Sequence, residues 1–77
     1  MSASSAIGEA IRLARKGMGL RQDELAAAAG VGLRFLVELE RGKPTVQLGK
    51  VLLVLAAVGL DVQVIPRQAS PDQAPPS

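Results

Sequence analysis

Cysteine and histidine are both missing from this sequence of 77 residues, and a single phenylalanine is its only aromatic residue. Without cysteine there are no disulfide bonds and no thiol nucleophile, and without histidine most zinc and transition-metal sites lose their usual ligands. We therefore predict no metal site, no cofactor and a reducing compartment, of which the cytoplasm is the simplest. Catalysis would depend on carboxylates alone, and because these form no acid–base pattern, we predict that the chain is not an enzyme.

Long apolar runs are missing as well. No run approaches the roughly 18 residues that span a membrane, and no basic patch followed by an apolar segment opens the chain. We therefore expect neither export nor a membrane partner. With 48% hydrophobic residues the chain suits one small domain. A core of this size usually supplies only about 3–5 kcal/mol, so a second subunit would help to stabilise it. The net charge of +2 suits a polyanionic partner and an ordinary soluble surface equally well.

Apolar residues recur every three to four positions over most of the chain, which predicts helices. The pattern gives four of them: residues 5–17, 22–29 and 33–40, and a fourth that Thr45 caps and Gly59 ends. The predicted fold is all-α, a compact domain of four to five helices. Its core is predicted to include Leu25, Val31, Leu36 and Leu39, together with the stripe Leu48, Val51, Leu52 and Leu55.

After Gly59 the period shortens to two, which predicts a short β-strand over residues 61–65. A lone strand needs a partner edge, and the same strand of a second copy is the economical candidate. Leu60, Val62 and Val64 are therefore predicted to form a dimer contact; an extended segment without a partner is the alternative. The other predicted parts are an N-terminal arm over residues 1–4, the helical domain over 5–60 and a flexible, proline-rich tail over 66–77.

The second and third helices are joined by Gly30-Val31-Gly32, an arrangement typical of a DNA-reading helix-turn-helix. In such a pair the first helix points its N-terminus at a phosphate, and the second presents its outer face to the major groove. Gln22 and Arg21 are therefore predicted to contact phosphates. Contacts of this kind orient a protein on DNA without reading its sequence.

The outer face of the third helix carries the predicted base contacts. Arg34 can pair bidentately with guanine, which is worth about 1–3 kcal/mol of discrimination. Leu33 and Val37 can pack on thymine methyl groups, and Glu38 can accept from cytosine N4 or repel misplaced phosphates. An ordinary solvated surface is the alternative reading of these positions. The full set predicted to contact DNA is Arg21, Gln22, Gly32, Leu33, Arg34, Val37, Glu38, Arg41, Lys43 and Thr45.

Three short motifs carry a resemblance to a known family. They are Gly-Leu-x-Gln-x-Glu-Leu-Ala at 19–26, Ala-Gly-Val at 29–31 and Glu-x-Gly at 40–42, and together they resemble the Xre, or lambda-repressor-like, helix-turn-helix family over roughly residues 5–60. The resemblance implies a DNA-binding regulator whose phosphate-contacting glutamine is Gln22. Arg21 and Gly32 replace the family's usual serine or threonine caps, and Leu33 replaces a polar reader, which predicts an altered operator preference.

A longer stretch, over residues 34–36, 38–46, 48–52 and 59–60, is similar to the HipB-like antitoxins within that family. This resemblance implies a homodimer joined partly through C-terminal strands, a repressor of its own operator, and a complex with a HipA-like serine/threonine kinase toxin. It also implies an ion pair between Arg15 and Glu40. We predict that this pair is a structural lock between the first and third helices and not a DNA contact.

Two other functions fit the same residues. The chain can be a stand-alone or phage-type Xre regulator with no toxin partner, which the neighbouring reading frame would reveal. It can also be a protein-interaction module that has lost DNA binding, with the apolar face of Leu33 and Val37 meeting a protein. Salt-sensitive binding to DNA separates this last function from the others.

Overall fold

The computed structural model describes residues 3–66 and contains four α-helices over that range. They are α1 (Ala3–Gly17), α2 (Gln22–Ala29), α3 (Leu33–Glu40) and α4 (Leu48–Ala57). The bounds of α2 and α3 are those that the sequence predicts, and the four-helix, all-α fold is confirmed. Residues 67–77, which make up nearly all of the predicted tail, and residues 1–2 of the predicted arm lie outside the described range.

The first helix begins earlier than its sequence pattern predicts. Ala3 and Ser4, which were expected in the arm, form its first turn. Ile11 is fully buried, and Ile7 and Ala14 pack against the core from the same side. Met18 continues this spacing in the sequence but is exposed, because α1 has already ended at Gly17.

All four helices end in the same way, with two backbone hydrogen bonds that close the last turn. At the end of α2, Val31 N donates to Ala26 O at 3.0 Å and Gly30 N donates to Ala27 O at 3.2 Å. Gly30 has φ of 74°, a left-handed conformation that glycine adopts without strain. This closure reverses the chain within three residues and so fixes where α3 begins.

The fourth helix differs from its prediction at its start. It begins at Leu48 with Gln47 as N-cap, so Thr45 lies two residues before the cap and does not cap the helix. The physical reason is packing: Val46 turns toward the core and Val51 is buried, an arrangement that resembles a hydrophobic staple. Leu48 and Leu52, which were expected in the core, are exposed, and Val54 is buried instead.

The core lies where α2 packs against both α3 and α4, with α1 packed against α3 on the other side. Leu25 and Leu36 are fully buried and Leu39 nearly so, as their spacing predicts. The complete buried apolar set is Ile11, Leu25, Ala26, Leu36, Leu39, Val51, Val54, Leu55 and Val58. It fixes α3 by its inner face and leaves the outer face to solvent.

A close backbone approach sets the distance between α1 and α3. Gly8 is buried, and a Cβ atom added there would collide with the carbonyl oxygen of Leu39 and lie 2.9 Å from that of Glu40. Only glycine lets α1 come this near to the end of α3. This approach brings the last turn of α3 within reach of side chains on α1.

The segment after α4 forms no strand within the described residues. Leu60 packs against the core, and its N–H donates to Leu55 O at 2.8 Å, closing α4. That N–H is therefore not available to a second strand. The side chain of Leu60 is partly exposed, and its predicted place in the dimer contact stays a prediction. Val62 and Val64 remain exposed, and their pairing between subunits stays a prediction.

Candidate nucleic-acid interface

The N-terminus of α2 is closed by a carboxylate from the next turn. Arg21 is the N-cap residue with extended backbone, and its side chain makes no cap hydrogen bond. Instead, the backbone N–H of Arg21 donates to Oε1 of Glu24 at 2.8 Å. This bond is one half of a capping box. It shows how α2 begins without the serine or threonine that usually stands at this position.

The Arg21 guanidinium is held by acidic neighbours. Its Nε donates to Oδ1 of Asp23 at 3.1 Å, and its Nη2 lies 3.9 Å from Oε2 of Glu24. The hydrogen bond to Asp23 raises the pKa of Arg21 and lowers the pKa of Asp23. A phosphate that binds Arg21 would therefore compete with these carboxylates.

The outer face of α3 presents the side chains that the sequence assigns to base reading. Arg34 is exposed, Leu33 is 48% exposed, and Val37 and Glu38 are partly exposed on the same side of the helix. No hydrogen bond or ion pair joins Arg34 to another residue of the described range. Its guanidinium donors are therefore all available to an acceptor outside the chain.

Near the end of α3, a second cationic side chain is paired with a carboxylate. Lys43 Nζ donates to Oε2 of Glu38 at 3.3 Å. Glu38 was predicted to read cytosine, and in this structure its carboxylate is engaged by Lys43. Arg41, between them in sequence, is exposed and has no ion pair within residues 3–66.

Arg15, Glu40 and Gln22 form a hydrogen-bonded network beneath the start of α2. Arg15 Nε donates to Oε2 of Glu40 at 2.8 Å, and Nη2 donates to Oε1 at 3.0 Å. The two side chains are 10% and 4% exposed. The remaining nitrogen, Nη1, donates to Leu20 O at 2.9 Å, and Gln22 Nε2 donates to Oε1 of Glu40 at 3.1 Å. The hydrogen bond to Glu40 raises the pKa of Arg15.

This arrangement of α2, a three-residue turn and an outward-facing α3 corresponds to a known family. A family model described as Helix-turn-helix matches residues 11–65. The chain belongs to the Xre, or lambda-repressor-like, helix-turn-helix family. It is also 58% identical over 59 residues to an uncharacterized HTH-type transcriptional regulator of Sinorhizobium fredii, y4mF, a match that covers 77% of this chain and 78% of the relative. As a helix-turn-helix protein it is a DNA-binding regulator of transcription.

The departures of this chain from the helix-turn-helix motif cost the fold little. Gly32 is the N-cap of α3 and makes no side-chain cap bond. A Cβ atom added at Gly32 would meet no other atom within 4 Å, so the fold itself would accept a serine there.

Thr45 is exposed and lies ahead of α4, beside the end of the helix-turn-helix.

Sequence reasoning missed several side-chain pairs of the helix-turn-helix protein. The bond between Gln22 and Glu40, 18 residues apart, depends on how α2 crosses α3. Lys50 Nζ lies 5.6 Å from the centre of the Phe35 ring, a cation–π distance between α4 and α3. A pair of this kind on two separate helices leaves no periodic signal in the sequence.

The structure also bears on other classes of function. Within residues 3–66, no helix is both long enough and apolar enough to cross a membrane. In the same range, no three or more acidic side chains gather where they can hold a metal ion.

Proposed function

We propose that this regulator is a sequence-specific repressor that binds a two-fold symmetric operator as a homodimer, in the cytoplasm and on its own promoter DNA. The observation that carries the proposal is the outer face of α3, where an arginine with no ion-pair partner among residues 3–66 stands beside an exposed leucine. Arg34 offers a planar fork of donors that matches guanine O6 and N7, and Leu33 offers an apolar surface to a thymine methyl group. Dimer symmetry would place two such helices about one helical turn of DNA apart.

The decisive measurement is binding to the DNA upstream of the chain's own reading frame, by fluorescence anisotropy over a series of salt concentrations. We expect Arg34→Ala to weaken operator binding about tenfold to a hundredfold, because a bidentate guanine contact is worth about 1–3 kcal/mol. Binding to random duplex should change much less. The matched control is Arg12→Ala, which removes the same charge from α1, where Glu9 already holds it.

Two outcomes of this measurement would contradict the proposal. If Arg34→Ala and Arg12→Ala weakened operator and random DNA to the same degree, Arg34 would be a general charge and not a reader of sequence. If the wild-type chain showed no salt-sensitive binding to any duplex, the apolar face of Leu33 and Val37 would point to a protein-interaction module instead.

We further propose that the repressor is the antitoxin of a HipBA-type pair, which neutralises a HipA-like serine/threonine kinase toxin. Support comes from the sequence similarity over residues 34–36, 38–46, 48–52 and 59–60. The test is co-purification with the product of the neighbouring gene, followed by operator binding of the complex. A neighbouring frame without kinase motifs, and no stable complex with its product, would leave a stand-alone or phage-type regulator.

A further inference from the structure

Glu40 links the buried part of the molecule to a residue predicted to touch DNA. Its Oε1 accepts two hydrogen bonds, from Arg15 Nη2 at 3.0 Å and from Gln22 Nε2 at 3.1 Å. Glu40 lies at the last position of α3, whereas Gln22 is the first residue of α2. The predicted role of Glu40 as a lock to α1 does not require the bond to Gln22, so that bond needs its own explanation.

The chemistry of the two groups fixes the orientation of the Gln22 amide. An ionised carboxylate only accepts hydrogen bonds, so the amide must turn its nitrogen and not its oxygen toward Glu40. One Nε2 hydrogen is then used by Glu40, and the second remains for another acceptor. A phosphate oxygen also only accepts, and the amide is therefore already turned as a phosphate contact requires.

The charge of Glu40 would by itself repel a phosphate near Gln22. Arg15 removes this obstacle, because it bonds both oxygens of the carboxylate and the pair is almost fully buried. A buried, paired carboxylate can orient a neighbour at little cost in long-range repulsion. Arg15 is itself anchored by Leu20 O, on the loop just before α2.

We propose that Glu40 is a positioning residue for DNA binding, which sets the Gln22 amide for a backbone phosphate while Arg15 neutralises its charge. This inference rests on the proposed function, because it requires that Gln22 contact a phosphate. It gives the Arg15–Glu40 pair a role in binding in addition to its role in stability.

A double-mutant cycle tests the proposal with Gln22→Ala, Glu40→Gln and the double variant. Gln22→Ala should weaken operator and random duplex alike, about tenfold, because a hydrogen bond to a charged group is lost and phosphate contacts carry no sequence information. Glu40→Gln should weaken both duplexes about fivefold, because a neutral amide no longer fixes the orientation of Gln22. In the Gln22→Ala background, Glu40→Gln should add no further loss.

The sign of the effect separates positioning from general electrostatics. Removal of a negative charge normally strengthens binding to DNA. Glu9→Gln is the matched control, because Glu9 also pairs with an arginine but has no link to Gln22, and it should leave binding equal or slightly stronger. All variants are compared at a temperature where circular dichroism shows each of them fully folded.

The outcomes distinguish failure of the inference from failure of the proposed function. If the wild-type chain bound no duplex, both the inference and the proposed function would be wrong. If the wild-type chain bound DNA and Gln22→Ala bound it equally well, the inference would be wrong but the proposed repressor function would stand. An equal loss from Glu40→Gln in both backgrounds, or stronger binding, would show that Glu40 does not act through Gln22.

A second measurement needs no Glu40 variant and so does not depend on its folding. In the NMR spectrum of the labelled wild-type protein, assigned with Gln22→Ala, the Nε2 hydrogen that faces Glu40 should lie well downfield of the matching hydrogen of the exposed Gln63, because it is bonded to a carboxylate. Addition of duplex DNA should move the other Nε2 hydrogen and leave this one in place. Two Gln22 resonances at the positions of an exposed glutamine, or two that ignore DNA, would overturn the proposal.

Discussion

At the scale of single residues, the lysines and arginines of this chain fall into two groups, those that pair with a carboxylate and those that do not. Arg12, Arg15, Arg21 and Lys43 each contact a carboxylate. Arg34 and Arg41, on and just after α3, have no such partner within the described range, and neither do Lys16 on α1 and Lys50 on α4. On the face that is predicted to contact DNA, Arg34 and Arg41 are therefore the cations that no carboxylate of the described residues holds.

The buried ion pair makes a prediction about stability. Arg15→Ala should lower the free energy of unfolding by about 3–5 kcal/mol, because Glu40 would keep a buried charge without its partner. A core of this size supplies only about as much in total, so the variant should be largely unfolded in buffer. Urea denaturation followed by circular dichroism measures the difference.

The control for this prediction is Arg12→Ala, which breaks the exposed pair with Glu9. It should lower the free energy of unfolding far less than Arg15→Ala does, because solvent screens a surface pair. An Arg15→Ala protein as stable as the wild type would show that the buried pair adds nothing to stability, whatever its part in DNA binding.

At the scale of elements, the contact between α1 and α3 depends on the absence of a side chain. Gly8→Ala should destabilise the fold by about 1–3 kcal/mol, because the new methyl group meets the rigid backbone carbonyls of Leu39 and Glu40. The matched control is Gly17→Ala in the last position of α1, where a Cβ meets no atom within 4 Å. It should be neutral or slightly stabilising, since alanine is the better helix former. Equal midpoints in urea for the two variants would contradict the close packing of α1 on α3.

The exposed pairs on α1 and α2 predict how stability depends on pH. Hydrogen bonds from Arg12 and Arg21 hold the pKa of Glu9 and Asp23 below their ordinary values of 4.5 and 3.8. The unfolded chain then binds protons more readily than the folded one. This contribution to stability is present above pH 4.5 and is lost as the pH falls through the lowered pKa values.

We expect denaturation curves between neutral and acid pH to show a shallower loss of stability for Glu9→Gln than for the wild type. Asp61→Asn serves as the control, because Asp61 is exposed and has no ion pair in the described part of the chain. A Glu9→Gln curve parallel to that of the wild type at every pH would contradict the prediction.

The helices show how far sequence patterns reach. The bounds of α2 and α3 follow from glycines and carboxylates close in sequence, and the pattern places both correctly. Thr45 is a good cap by residue type, yet α4 starts later because Val46 packs against the core. The outward face of α3 is likewise periodic and predictable. The sequence pattern does not predict the hydrogen bonds between Lys43 and Glu38 or between Gln22 and Glu40. These bonds depend on how far the side chains extend and on how α2 crosses α3.

At the scale of the whole molecule, the proposed dimer depends on the residues after α4. Val64 is 93% exposed and Val62 about half exposed, whereas Leu60 is partly buried against the core and its N–H already bonds Leu55. Ile65 is exposed beside them, and apolar side chains exposed in a contiguous group are typical of a surface that another chain covers. The pairing segment is therefore expected to begin after Leu60.

A lysine at an exposed edge position is a known obstacle to strand pairing. Val64→Lys should therefore shift the chain from dimer to monomer in sedimentation equilibrium and weaken operator binding, without a change in helical content. Gln63→Lys adds the same charge on the opposite face of the segment and should have a smaller effect. If both variants remained dimeric with unchanged operator affinity, the predicted pairing through residues 61–65 would be wrong.

The ion pairs at Arg21 and Lys43 have a consequence for how such a protein finds its site. A phosphate that approaches either cation also meets the carboxylate of Asp23 or Glu38 beside it, and that repulsion offsets part of the electrostatic gain. Binding to random chromosomal DNA depends almost entirely on phosphate contacts, so the carboxylates weaken all of it. In the proposed complex an operator would add base contacts through Arg34, which has no partner to displace within residues 3–66. The acidic residues would thereby widen the ratio between operator and random binding, and a scarce regulator would less often be held on the rest of the chromosome.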